Sequence, residues 1–281
     1  MKKGSILLNI AAVLMAALPL CASAQTMRGD FDMDGSVGIS DVTALVNYLL
    51  TDQPVTPPAV ASDTVMVNGV PLVMVRVDGG TYMRELGQPW TVGSYSIGQT
   101  EVTIELWNAV MGSTPQDNMM TAPLNPVEYV SWNDCQEFID ALNALTGMDF
   151  RLPTEREWEY AACGGRHTLA YTYAGSNDLD EVAWHKQNIP EYDPYHQHYY
   201  SHAQTVATKA PNELGLYDMS GNVSELCQDI SSAPTGNRCA LRGGSSYGQM
   251  SSQPATDCTV TAHKAVSVDE SGLGIGFRLA L

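Results

Sequence analysis

The chain has 281 residues, with 31 acidic against 14 basic side chains and a formal net charge of −17. So acidic a surface repels phosphates, which argues against DNA, RNA or anionic lipid as partners. The acidity is spread along the chain and not blocked into a tail, so it reads as a solvated surface plus cation sites.

Residues 1–24 read as a secretory signal peptide. Lys2 and Lys3 give a basic start, Ile6 to Leu20 is an apolar core, and Ala22-Ser23-Ala24 forms an A-x-A cleavage site. That core is too short to span a bilayer stably, and no later segment is apolar enough to do so. Leu20 before Cys21 is too large for the usual lipobox, so an exported periplasmic or extracellular protein is expected, not a lipoprotein. Removing Lys2 and Lys3 leaves 12 basic residues against 31 acidic, a mature net charge of −19.

Residues 25–51 carry a calcium signature. In Asp30-Phe31-Asp32-Met33-Asp34-Gly35-Ser36-Val37-Gly38-Ile39-Ser40-Asp41, carboxylates stand at loop positions 1, 3, 5 and 12 and a glycine at position 6. This is the spacing with which an EF-hand-type loop wraps a hard cation in oxygen ligands. The expected ligands are Asp30, Asp32, Asp34, Ser36 and Asp41. Asp41 replaces the usual bidentate Glu, and an apolar helical run, Val42 to Leu50, follows. In both respects the segment resembles one repeat of a bacterial dockerin, which implies a cohesin-like partner. Dockerins usually carry two repeats, so an internally packed calcium module is the other reading.

Residues 52–64 form a proline-rich linker. Val65 to Leu281, about 200 residues, is long enough for one substantial core. Two strands, Val65–Val70 and Leu72–Val77, flank Asn68-Gly69, a hairpin signal. A third strand runs from Tyr95 to Thr100. Thr103 caps a helix to Met111, which Gly112 ends. Ser131 caps a second helix, Asn133 to Leu145, with Cys135, Phe138, Ile139, Leu142 and Leu145 on one apolar face. Thr154 and Glu157 form a capping box for a third helix, ending at Ala162. Beyond Gly164 the chain is rich in turn residues.

Five cysteines follow the leader: Cys135, Cys163, Cys227, Cys239 and Cys258. No C-x-x-C pair is present, so a zinc ribbon or thioredoxin-type site is not supported. Tyr192 to His202 is rich in His and Tyr. Tyr195, His196, His198 and Tyr199 are candidates for ligand binding there, against the plainer reading of an exposed loop.

Six strings in order resemble the formylglycine-generating enzyme (sulfatase-modifying factor) family: Ile97–Thr103, Pro126–Trp132, Phe150–Ala162, Asn212–Val223, Leu241–Ser245 and Gly276–Leu279. The resemblance covers essentially all of 65–281. It implies an α+β, C-type-lectin-like fold with little regular secondary structure. It also implies a structural calcium on Asp218, Gly221, Val223 and Glu225. Arg151, Glu155, Glu157 and Glu159 are expected to anchor loops through charge-assisted bonds, and Trp132 and Trp158 to fill the core.

Catalytic members of this family oxidise a sulfatase cysteine to formylglycine with copper on two cysteines after the Gly-Gly-Ser turn. Counted from Ser245, those positions hold Gly248 and Gln253. One remaining thiol, Cys258, cannot make a two-thiolate copper(I) site. The family fold implies instead that Cys258 pairs with Cys227. The resulting expectation is a non-catalytic protein- or glycan-binding domain, with Tyr192–His202 and Ser246–Gly274, including Tyr247, as binding surface. The alternatives are a formylglycine-generating oxidase with a rearranged site at Cys258, and a dockerin-docked component of a glycan-degrading assembly.

Overall fold

The computed structural model describes residues 61–83, 89–115, 122–189, 203–233, 236–247 and 253–281. The signal peptide, the Asp30–Asp41 loop and the Tyr192–His202 stretch lie outside these residues.

Strands β1 (Ser62–Val67) and β2 (Val70–Val77) form the predicted hairpin. Asn68 and Gly69 both take positive φ, 47° and 91°, the left-handed pair that a tight two-residue turn needs. Strand β3 (Gly80–Met83) pairs with β4 (Pro89–Val92) in a two-stranded ribbon. Residues Thr81–Thr91 fall outside the main compact unit, Ala59–Gly80 with Val92–Leu281. Strand β5 (Tyr95–Gly98) adds to β2, giving the order β1-β2-β5. The far edge of β5 is covered by the chain's last residues: Ser96 exchanges backbone bonds with Leu281, and Gly98 donates to Leu279.

Helix α1 (Ile104–Met111) starts where the Thr103 side chain accepts from the Leu106 amide, and it ends at Gly112 in the left-handed region. Helix α2 (Trp132–Thr146) has a reciprocal Ser131/Asp134 capping box. Helix α3 (Glu155–Ala162) has the predicted Thr154/Glu157 box. Each cap satisfies amides that the helix itself leaves without partners. On α2 the apolar face ends at Leu142. Leu145 is 53% exposed, not a core residue as expected. Leu145 lies in the last turn of α2, which Gly147 ends, and the chain then returns so that the Asn143 side chain brackets the Phe150 backbone with bonds of 2.7 and 2.9 Å.

Two short helices, α4 (Leu179–Val182) and α5 (Pro254–Asp257), punctuate the turn-rich half. That half also holds a four-stranded sheet of β6 (Ser224–Ala233), β7 (Gly236–Arg242), β8 (His263–Ser267) and β9 (Ile275–Gly276). Its order is β8-β7-β6-β9, with β9 parallel to β6. The β6–β7 register shifts between Leu226 and Ile230. Such a bulge breaks the two-residue alternation by which a strand is read.

Both larger sheets and helices α1 and α2 contribute to one core. At its centre Trp107 stacks on Phe138 with centroids 5.1 Å apart, and Phe277 meets both rings edge-on. Phe138→Ala is therefore expected to cost about 3–5 kcal/mol. Leu145→Ala should stay within about 0.5 kcal/mol. Urea denaturation of the two variants checks the contrast.

Candidate functional site

The most charged part of the interior is built around Arg278, fully buried beside β9. Its Nε and one Nη donate to the two carboxylate oxygens of Glu225 at 2.6 and 2.7 Å. The remaining guanidinium donors reach the carbonyls of Gly98, Gln99 and Tyr217. A guanidinium has five N–H donors, so Arg278 is saturated. Glu225 also accepts from the Trp158 indole at 2.7 Å.

Two further buried carboxylates face this pair. Asp218, held at φ 57°, accepts the Ala207 amide on Oδ2, while Oδ1 has no partner. Glu101 has no partner on either oxygen beyond the influence of its own amide. Burial, and then the Asp218 charge, hold the Glu101 carboxyl well above the usual range. Burial raises Asp218 to about 6.

A second buried guanidinium, Arg242 at the end of β7, donates to Glu155 at 2.7 Å and to Glu159 at 2.6 Å. Arg151 instead takes Glu157, through two bonds of 2.6 and 2.7 Å. The loop-anchoring acids on α3 thus serve two different arginines. Trp158 is buried between the clusters, bonded to Glu225 and 5.9 Å from the Arg242 guanidinium.

After β7 comes the Gly-Gly-Ser turn. Gly243 and Gly244 have φ of 84° and 69°. A Cβ on Gly244 would lie 2.8 Å from the Asp257 carbonyl oxygen and 2.9 Å from the Cys258 Sγ, so only glycine fits. Cys258 is buried against Tyr173 and Val182. Burial, then the Asp257 charge, push its thiol up to about 12. Across the turn Glu128 accepts the Gly274 amide at 2.7 Å, and its other oxygen is buried without a partner. Burial pushes Glu128 up to about 7. Tyr247 is half-buried nearby, its phenol raised by burial and then by Glu128.

The chain and its fold are similar to known proteins. The family described as "Sulfatase-modifying factor enzyme 1-like domain" matches residues 54–281. The chain belongs to that family. It is 31% identical over 205 residues to the chaperone protein LppX of Paenibacillus barcinonensis, covering 57% of this chain and 72% of that one. It is 39% identical over 132 residues to the formylglycine-generating enzyme of Thermomonospora curvata, covering 45% and 40%. It is 30% identical over 155 residues to the inactive Cα-formylglycine-generating enzyme 2 of Bos taurus, covering 55% and 50%. The chain therefore spans about half the length or less of those two formylglycine-generating-enzyme relatives. A solved structure, Treponema denticola variable protein 1, superposes with a TM-score of 0.63 at 28% identity, over 78% of this chain and 98% of that one.

Against this family background the expected site residues divide. Asp218, Gly221, Val223 and Glu225 all lie in one buried segment leading into β6. Gly221 is forced: with φ 82°, a Cβ would lie 2.3 Å from the Trp184 carbonyl oxygen. Asp218 has a free oxygen to offer a cation. Glu225 accepts from the Arg278 Nε and the Trp158 indole on Oε2 and from one Arg278 Nη on Oε1, which leaves Oε1 with acceptor capacity. Among the described residues no three His, Cys, Asp or Glu side chains are gathered as a metal site. The expected Cys227–Cys258 disulfide is corrected: neither thiol is in a disulfide. Cys227 lies on β6, whereas Cys258 follows α5 and packs on Tyr173 and Val182, so the two serve different surroundings. Tyr247 lies beside Glu128. Tyr195, His196, His198 and Tyr199, with Asp30, Asp32, Asp34, Ser36 and Asp41, are outside the described residues.

Glu101, Glu128, Arg242 and Arg278 were not singled out as site residues. The signal available for them is a lone charge inside an apolar run, as in Pro126-Val127-Glu128-Tyr129-Val130 and Gly276-Phe277-Arg278-Leu279. Charged side chains are almost never fully buried unless paired, so such a residue points to a partner far along the chain.

Glu128 sets a pH dependence. Its folded value of about 7 lies above the ordinary carboxyl value, so the folded state holds a proton that the unfolded chain releases. Stability should fall as pH rises from about 4.5 to about 7, by about 3 kcal/mol in all. Glu128→Gln should flatten that part of the profile and stabilise the protein at pH 7.5. Denaturation midpoints at pH 5, 6 and 7.5 check it.

Proposed function

We propose that this chain is an exported, calcium-stabilised binding protein that uses the sulfatase-modifying-factor scaffold without its oxidase chemistry. One observation carries the reading: the paired thiols are missing. The two positions counted from Ser245 hold Gly248 and Gln253, and the thiol that follows, Cys258, is buried and pushed up to about 12. A thiol that stays protonated is a poor ligand for a soft metal and a poor nucleophile. The relatives named as a chaperone and as an inactive formylglycine-generating enzyme are compatible with a non-catalytic role.

In this reading the lectin-like scaffold presents loops to a protein or glycan ligand. The surfaces are 192–202, with Tyr195, His196, His198 and Tyr199, and 246–274, with Tyr247. The Asp30–Asp41 loop binds calcium and forms either a docking module for a cohesin-like partner or an internally packed cap. Within the domain, calcium is assigned to the segment of Asp218, Gly221, Val223 and Glu225, where the free oxygen on Asp218 supports it. The bound ion would offset the negative charge of the buried carboxylates and hold their loops together.

Purified mature protein should bind no copper(I) tightly and should leave the cysteine of a sulfatase-motif peptide unconverted. Mass spectrometry of the peptide and a copper(I) competition titration check this. Conversion that disappears in Cys258→Ser would overturn the proposal in favour of a rearranged oxidase.

A further inference from the structure

Asn222 is fully buried and held at φ 58°, in the left-handed region. It joins three stretches of chain. Its amide donates to the Trp184 carbonyl at 2.8 Å, and its carbonyl accepts the Ser246 amide at 2.9 Å. Its side chain brackets Gln204: Oδ1 accepts the Gln204 amide at 2.7 Å, and Nδ2 donates to the Gln204 carbonyl at 3.2 Å. Two demands meet at this position. A left-handed backbone admits Gly, Asn or Asp at little cost. A bracket on one residue's N–H and C=O needs an acceptor and a donor on one short arm. Asparagine satisfies both demands together.

The stretches that Asn222 joins are the roots of the two candidate ligand surfaces. Gln204 follows 192–202 in the chain, and Ser246 opens 246–274. On another side, 203–205 is held by Asn125, which donates to the Ala203 carbonyl and accepts from the Thr205 hydroxyl, both at 3.0 Å. If Gln204 pulls away, the Asn222 side chain keeps a buried donor and a buried acceptor without partners. That costs more than the two bonds themselves contribute. Turning Asn222 toward water would rotate the peptide groups that hold Trp184 and Ser246. Opening at Gln204 therefore disturbs Ser246, and the reverse holds.

We propose that Asn222 couples the two surfaces, so that they order and open as one composite face and a ligand that fixes either one favours the other. This rests on the ligand-binding reading above and adds that the face is single.

Hydrogen exchange of individual amides, followed by NMR on the full-length mature protein, tests the coupling without a ligand. The Gln204 and Ser246 amides are read against the Arg151 amide, which bonds the Ala280 carbonyl elsewhere in the domain. Asn222→Gly keeps the left-handed backbone and removes the bracket. It should lower protection about tenfold or more at both Gln204 and Ser246, and leave Arg151 within about twofold. Asn125→Ala removes the bonds to Ala203 and Thr205 and leaves the Asn222 bonds in place. It should lower protection at Gln204 and, through Asn222, at Ser246 by a similar factor. This second variant carries the test if Asn222→Gly does not fold. Protection that falls at Gln204 while Ser246 keeps its parent value would overturn the coupling. So would a fall of equal size at Arg151, the mark of a general loss of stability. Neither result touches the ligand-binding reading, which the copper(I) and peptide assays test separately.

Discussion

Arg278 is the point on which the domain depends. Its five donors join the end of β5, the turn at Tyr217 and the start of β6 through one planar group. A buried ion pair adds little net stability over a well-packed apolar replacement, because desolvating two charges is costly. What it fixes is geometry. Removing either partner would leave the other charge buried and alone, at a cost of about 3–5 kcal/mol. In a domain whose turns outnumber its strands, such fixed points do the positioning that long sheets do elsewhere.

The second guanidinium extends the same principle. Arg242 ties β7 to α3 through Glu155 and Glu159, and it also reaches the carbonyls of Val260 and Ala262. Trp158 lies between the two clusters, bonding Glu225 at one side and lying near Arg242 at the other. The Gly-Gly-Ser turn begins right after Arg242, so it starts from a charge-paired support.

Local signals were legible and non-local ones were not. The Thr103, Ser131 and Thr154 caps, the Asn68-Gly69 turn and the face from Cys135 to Leu142 are set by neighbours within a few residues, and all are found. Leu145 fits the same periodicity but lies in the last turn of α2, beyond the core, just before Gly147 ends the helix. The β6–β7 pairing was hidden by its own bulge. Asn222, Gln204 and Ser246 meet only in space, since neither spacing nor composition links them. The Cys227–Cys258 pairing came from the family fold, and the thiols themselves do not make it.

The far edge of β5 has a consequence for how the molecule comes into being. That edge is closed by Leu279 to Leu281, and Arg278 bonds Gly98 across a sequence separation of 180 residues. The first sheet therefore cannot be completed by the first half of the chain. Until residues 279–281 dock, the outer edge of β5 stays open. Long-range closure of this kind slows folding and prolongs exposure of a sticky edge. Losing the 279–281 segment would expose the backbone of β5 along its whole outer edge.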